Sequence, residues 1–173
     1  MTRLHAATLP SPLGEMTILC SPTGVIATIF DGEAGDDEVA RIERSLEGRL
    51  GGAAADARRL AGAARREARA YFTHRGRTFT VPPDLALVGS GFSRRVLETV
   101  ATIPYGELWT YGDVAGMAGS PRAARAAGSA LAGCPIELFV PCHRVVHAGG
   151  TIGGYGRHGD RKRWLLRHEG AIA

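Results

Sequence analysis

The spacing of hydrophobic positions changes period along the chain. Over residues 5–30 the apolar and β-branched residues fall in three short runs, His5–Leu9, Met16–Cys20 and Val25–Phe30. Pro and Gly turn chemistry separates them at Ser11-Pro12-Leu13-Gly14 and Ser21-Pro22-Thr23-Gly24, which predicts an antiparallel meander. From Asp36 to about Arg49 the period lengthens, with Val39, Ile42 and Leu46 at helical spacing. An Ala/Arg-rich stretch from Gly51-Gly52 to about Phe72 predicts a second helix. Arg77–Val81 predicts one more strand, and Pro82-Pro83-Asp84 a linker.

Beyond the linker the pattern is helical. Phe92, Val96, Val100 and Ile103 make one apolar face, and Pro104 ends it. Thr110, with Asp113 three residues on, predicts the cap of a short helix ending at Gly119. Ser120 followed by Pro121 predicts the cap and first position of another, running through Arg125 to about Leu131 and stopping at Gly133. The pair reads as a helix-turn-helix, a corner that many domains without DNA also contain. Ala123, Ala124, Ala126, Ala127, Gly128, Ser129 and Ala130 leave the second helix nearly bare apart from Arg122 and Arg125. Small residues suit tight helix packing; they equally suit entry into a narrow groove with one long cation as a wedge. An arginine in the middle of the run favours the groove. Val140–Val146, approached through Pro135 and Pro141, reads as a buried strand. Asp160 predicts the cap of a last helix, with Trp164, Leu165 and Leu166 on its apolar side and Glu169 at its end.

Composition narrows the class. A chain of 173 residues has room for one large or two small cores. No apolar run reaches the ~18 residues of a membrane span, and no long apolar segment follows Met1. Three cysteines (Cys20, Cys134, Cys142), an odd number without a CxxC pair, point to a reducing, cytoplasmic setting and to no metal site. The net charge of +4 is uneven: residues 1–87 carry 11 basic and 11 acidic groups, residues 88–173 carry 10 and 6. The second half is thus the candidate for meeting phosphates. Arg58, Arg59, Arg65, Arg66 and Arg69 alternate with Ala, Asp56 and Glu67 and read first as a solvated helix face. Gly153-Gly154-Tyr155-Gly156 is a glycine-rich loop without the GK[ST] or GxGxxG of a phosphate cradle.

The candidate chemistry is at Cys142-His143. A cysteine there is either a buried structural thiol or a positioned nucleophile. On an extended segment adjacent side chains point apart, so a Cys142–His143 relay needs a kink or a bridging water. Glu169 at a helix C-terminus opposes the dipole. It marks either a frayed end or a carboxylate with a required partner such as His143.

Val140-Pro141-Cys142-His143-Arg144-Val145 resembles the active-site signature of the O6-alkylguanine-DNA alkyltransferases, the methylated-DNA–protein-cysteine methyltransferases. The resemblance includes Phe92-Ser93-Arg94-Arg95-Val96-Leu97, Ile103-Pro104-Tyr105-Gly106-Glu107, Tyr111 and Pro121-Arg122-Ala123-Ala124-Arg125-Ala126. It continues through Gly154-Tyr155 and residues 162–170, and is looser over the N-terminal part. It implies an α/β protein with an N-terminal RNase H-like domain (residues 1–83) and a mostly α, winged helix-turn-helix domain holding the cysteine (84–173). It further implies minor-groove binding of double-stranded DNA, base flipping, and irreversible transfer of the alkyl group of O6-alkylguanine, and of O4-alkylthymine, to Cys142. No cofactor is implied, and a monomer in solution is expected, with cooperativity on DNA left open. Under the resemblance His143 acts on Cys142 through a water, Glu169 orients His143, and Tyr111 serves the base at N3. Arg125 fills the vacated stack, main-chain groups of Cys142 and Val145 read the base edge, and the N–H of Gly156 lies near O6. Tyr155, Ala124, Ala126 and Arg122 complete the substrate and DNA contacts.

Two positions depart from the family pattern. Cys134 stands where an Asn usually ties the helix-turn-helix to the active-site segment, which predicts a weaker or rerouted hinge contact. Glu137 makes the alkyl pocket wall acidic, which predicts poorer acceptance of O6-benzyl than of methyl. The rival readings are a non-catalytic lesion-binding protein, a multiple-turnover thiol hydrolase and a transcriptional regulator. An intact Cys142 speaks against the first, and an alanine-lined recognition helix against the last.

Overall fold

Strands β1 (His5–Ser11), β2 (Gly14–Cys20) and β3 (Val25–Phe30) form an antiparallel sheet in that order, as the turn chemistry predicts. The computed structural model describes residues 4–30, 36–154 and 158–173. The β1–β2 register runs from His5↔Cys20 to Ser11↔Gly14. Ser11 closes the turn by donating its Oγ–H to Gly14 O at 2.6 Å and accepting Leu13 N–H at 3.1 Å. Helix α1 (Asp36–Ser45) and the turn after it bring Ile42 and Leu46 onto Leu4, Leu19 and Ile26. Helix α2 (Ala54–Phe72) packs on β1 and β2. Its buried alanines, Ala57, Ala61, Ala64 and Ala68, recur at helical spacing, a stripe without bulk that lets the helix approach its neighbours closely before Tyr71, also buried, near its end. Its five arginines are exposed.

Arg77–Val81 does not form the predicted strand. The N–H groups of Thr80 and Val81, which a neighbouring strand would have needed, donate instead to Glu67 Oε2 of α2 at 3.0 and 3.2 Å. Nor is Pro82-Pro83-Asp84 a free linker. Val25 N–H donates to Pro82 O (2.9 Å), Asp84 N–H to Val25 O (2.7 Å), and the Asp84 carboxylate accepts from Ser21 and Thr23. These bonds tie the segment to β3, so the chain divides into units at Met1–Leu87 and Val88–Ala173 rather than after Pro83.

In the second unit helix α3 (Phe92–Val100) packs against α4 (Tyr111–Met117) and α5 (Ala124–Ala132) through Val96, Leu97 and Val100, all at most 1% exposed. The capping box of α4 is complete: Asp113 N–H donates to Thr110 Oγ1 at 3.1 Å, and Thr110 N–H to Asp113 Oδ2 at 2.8 Å. The Thr110 hydroxyl, which donates to Asp113 Oδ2 at 2.7 Å, and then the Thr110 N–H hold the Asp113 carboxyl below its ordinary pKa. The next helix starts later than predicted. Ala123 N–H donates to Ser120 O at 2.9 Å, closing a turn, so Ser120 and Pro121 precede α5 and Arg122 lies in that turn.

The predicted strand through Val140–Val146 shrinks to two residues. Cys142–Arg144 is a single 3-10 turn, with Arg144 N–H donating to Pro141 O at 2.9 Å. Only Val145–Val146 (β5) remains extended, parallel to β4 (Trp109–Thr110). The last helix, α6 (Gly159–His168), is capped by His158, whose carbonyl accepts from Arg161 and Lys162; Asp160 lies inside the first turn. Glu169 is the C-cap, and Gly170 ends the helix at φ +71°, a conformation that favours glycine. The end is therefore formed, not frayed.

Candidate active site

The 3-10 turn sets the direction of three consecutive side chains. Cys142 opens into a cavity of about 500 Å³, while His143 and Arg144 turn into the protein, 0% and 5% exposed. The loop that delivers Cys142 holds a backbone rarity: Leu138, 1% exposed, sits at φ +77°. Such a strained residue persists only where its surroundings fix it, and is commonest at functional sites.

Behind Cys142 is a buried polar knot. His143 Nε2 lies 2.7 Å from Glu169 Oε1. Arg144 donates to both carboxylate oxygens, Nε to Oε2 and Nη2 to Oε1, each at 2.9 Å, and Nη1 to Ile103 O at 2.5 Å. Gly106 N–H adds a donor to Oε2 at 3.1 Å. Burial alone would raise the Glu169 pKa. The hydrogen bonds from His143 and Arg144 and their charges outweigh it and hold the carboxyl well below the usual range. An ionised carboxylate only accepts, so the proton on His143 is on Nε2 and the lone pair on Nδ1. His143 Nδ1 is buried and, among the described residues, without a hydrogen-bond partner. Burial and the charges of Arg144 and Lys162 lower the His143 pKa against the pull of Glu169, so the imidazole is neutral and basic at Nδ1.

The cavity in front is lined by Tyr111, Ala124, Arg125, Gly128, Leu131, Ala132, Cys142, His147 and Gly154. On α5 these occupy one face, at i, i+1, i+4, i+7 and i+8, while Ala127, off that face, is 0% exposed. Tyr111, held at the start of α4 by the capping box, has its ring 5.0 Å from that of His147. Burial, then the neighbouring Cys142, raises its pKa, so the phenol keeps its proton to donate. Gly153 is at φ +73°, and a Cβ there would come within 2.9 Å of the His147 ring and 3.2 Å of the Tyr111 hydroxyl.

The sequence thus predicted a set that the fold mostly gathers. Cys142, Tyr111, Ala124 and Arg125 line one cavity, and His143 and Glu169 stand behind it. Ala126 and Arg122 are exposed beside the cavity without lining it. Val145 is buried at 0% and does not line the cavity, and its carbonyl is taken by Lys162 Nζ at 2.5 Å. Tyr155 and Gly156 lie outside the described residues. Glu137, named as an acidic wall, accepts from Arg161 at 2.9 Å and does not line the cavity. Cys134, at the predicted hinge, donates its N–H to Leu131 O at 3.1 Å and is partly exposed. The neighbouring Cys134 thiol, then burial, then the charges of Cys134 and Glu137 raise the Cys142 pKa; Lys162 alone pulls it down.

Arg144 and Lys162 stand at the site with no role predicted for them. Lys162 is 0% exposed, bonded to Val145 O and, at 3.4 Å, to Gly154 O, with its ammonium 5.7 Å from the Tyr111 ring centroid. Burial pushes its pKa down to about 8, against the pull of Cys142. The signal was present: Lys162 occupies the same helical stripe as Leu165, Leu166 and Glu169.

Known proteins resemble the chain that carries this geometry. The family model described as "6-O-methylguanine DNA methyltransferase, DNA binding domain" matches residues 91–171. A methylated-DNA–protein-cysteine methyltransferase of Mycobacterium tuberculosis (strain ATCC 25618 / H37Rv) is 36% identical over 166 residues, 96% of this chain and 92% of its own. The chain belongs to the methylated-DNA–protein-cysteine methyltransferases. A family member from Shigella flexneri is 49% identical over 84 residues; the matched stretch spans about half of either chain, 49% of each. The crystal structure of Mycobacterium tuberculosis OGT in complex with DNA is similar at a TM-score of 0.75 and 34% identity, over 96% of this chain and 93% of that one.

Proposed function

We propose that this protein repairs double-stranded DNA by taking the alkyl group of O6-alkylguanine, and of O4-alkylthymine, irreversibly onto Cys142. The observation that carries this is the position of the Cys142 thiol, between a neutral imidazole held by a buried carboxylate and a cavity lined by Tyr111 and Arg125. The duplex is met at the minor groove by α5, whose small residues admit it closely, and Arg125 takes the place of the base that swings into the cavity. A mycobacterial relative solved with DNA supports the choice of partner.

The thiol is protonated in the resting protein, since the neighbouring Cys134 thiol and burial raise its pKa. His143 Nδ1 receives that proton through one water, and the Nε2–H···Glu169 bond stabilises the imidazolium that forms. The thiolate attacks the alkyl carbon. The carbon–O6 bond breaks, its electron pair goes to the purine, and the Tyr111 hydroxyl supplies a hydrogen bond to the developing charge at N3. Lys162, near both Tyr111 and Cys142, favours the anionic sulfur. The product is a thioether, which no group in the site can hydrolyse, so each molecule acts once.

Mass spectrometry after incubation with an excess of O6-methylguanine duplex tests the reading. One methyl group is expected on Cys142, one equivalent per protein, and none in Cys142→Ser. An unmodified Cys142, or turnover beyond one equivalent, would overturn it; binding without transfer would leave a lesion-binding protein.

A further inference from the structure

The transfer derived above uses residues of the second unit, yet the first unit carries a strongly charged face. Arg58, Arg59, Arg65, Arg66 and Arg69 of α2 are all exposed. At about 100° of turn per residue they fall within about 120° of the helix circumference, at i, i+1, i+7, i+8 and i+11. Gly62, at i+4, lies in the middle of the row and adds no side chain to it. The buried alanines lie off this arc, and so do the two acids of the helix, Asp56 and Glu67. Asp56 reaches only Arg59, at 3.6 Å between exposed groups. Glu67 is occupied elsewhere: its Oε2 accepts the Thr80 and Val81 N–H groups and its Oε1 the Thr80 hydroxyl. Among the described residues Arg58, Arg65, Arg66 and Arg69 have no carboxylate at ion-pair distance. Residues 1–87 hold 11 acids and 11 bases, so the row is a local segregation of charge and not an overall excess. Helix stability opposes it, since Arg65 and Arg69 are like charges at i, i+4. The exposed faces of α1 and α3 mix signs instead, with the pairs Glu38–Arg41 and Arg94–Glu98. A row of one sign that repels itself is relieved by a partner of the other sign.

We propose that the arginine face of α2 is a second DNA-contacting surface, which grips the phosphate backbone of a duplex without reading its sequence. The partner has to be a polyanion with its charge laid out along a line. From Arg58 to Arg69 the row spans about 16 Å, a length over which duplex DNA carries about ten phosphates. No large apolar side chain lies on the arc, whereas a helix that settles on a lipid surface brings apolar side chains to it beside its cations. Gly62 keeps the centre of the row low, so a rod-shaped partner meets arginines on both sides of it. The choice of DNA among polyanions rests on the reading of duplex DNA as this protein's partner; the charge row itself does not.

Binding of an undamaged duplex to the full chain, followed by fluorescence anisotropy across a salt series, tests the surface. The variant carries Arg58→Gln, Arg65→Gln and Arg69→Gln together, exchanges that keep helix propensity. With less repulsion along the helix its melting temperature should be unchanged or higher. Its affinity for the duplex should fall about 10- to 100-fold at low salt, and the slope of log affinity against log salt should become shallower by about 1 per arginine removed. Methyl transfer from O6-methylguanine as the free base, which has no phosphates, should be unchanged. Affinity and slope equal to those of the wild type overturn the surface and leave the alkyl-transfer reading standing. Weaker binding with an unchanged slope overturns it as well, because phosphates would not be the contact. Loss of binding only to phosphatidylserine vesicles or to polyglutamate would assign the face to another polyanion and overturn the choice of DNA. A lower melting temperature with slower free-base transfer would make the three arginines structural and overturn it too. A wild-type chain that binds no duplex would overturn both readings together.

Discussion

The two sides of Cys142 are built from opposite materials. Behind it, His143, Arg144 and Gly106 all bind the carboxylate of Glu169 in the buried interior. In front, Ala124, Gly128 and Ala132 leave space, and Arg125 is exposed. The rear is charge held in place by mutual hydrogen bonds, so chemistry and stability are joined there. The front is room kept open by small residues, so binding can change there without unfolding the protein.

The largest test of this contrast is Glu169→Ala. Removing the carboxylate leaves Arg144 buried without its ion pair, and breaking such pairs costs about 3–5 kcal/mol. Urea unfolding should show that loss and single-turnover kinetics a fall in transfer rate; a change in rate alone would separate what the geometry joins. Arg125→Ala should do the reverse. Transfer from duplex DNA should slow about 10- to 100-fold, part of the few kcal/mol that extruding a base costs, while the unfolding free energy stays within about 0.5 kcal/mol. A destabilised Arg125→Ala would show that the front wall is also structural.

Acid gives the third test. His143 has a lowered pKa, so below about pH 6.5 the unfolded chain binds a proton that the folded one does not, and stability falls as pH falls. Glu169 is also lowered: its contribution is full above the unfolded value of about 4.3 and is lost as pH falls below it. Urea unfolding across this range should show a shallow decline followed by a steeper one, and His143→Gln should flatten the first. The smallest expected effect is that of Arg161→Ala. It removes the Arg161 charge from beside the Glu137 carboxylate, which already raises the Cys142 pKa, and should move the thiol limb of the pH–rate profile upward by less than about one unit.

Where neighbouring residues decide the structure, the sequence was a good guide. The bounds of β3 agree with those expected, and the Thr110–Asp113 cap is present in both halves. It failed where a distant group intervened. Arg77–Val81 has the composition of a strand, but Glu67 took its amides. Val140–Val146 has the hydrophobicity of a strand, and hydrophobicity does not distinguish one from a buried 3-10 turn. Motif resemblance named Cys142, Tyr111 and Arg125, which line one cavity, and His143 and Glu169 behind it. Charge alone pointed away from Arg144 and Lys162, because long cations are rarely buried without partners and the partners here come from other elements.

The cap of α4 has a consequence for reading variants. Tyr111 is the first residue of a helix only seven residues long, and Thr110 and Asp113 are what start it there. A change at Asp113, which touches neither Cys142 nor the cavity, would loosen the helix's first turn and let the phenol drift. Its kinetic signature would be that of a misplaced Tyr111, so a deficit first assigned to DNA contact would belong to helix initiation.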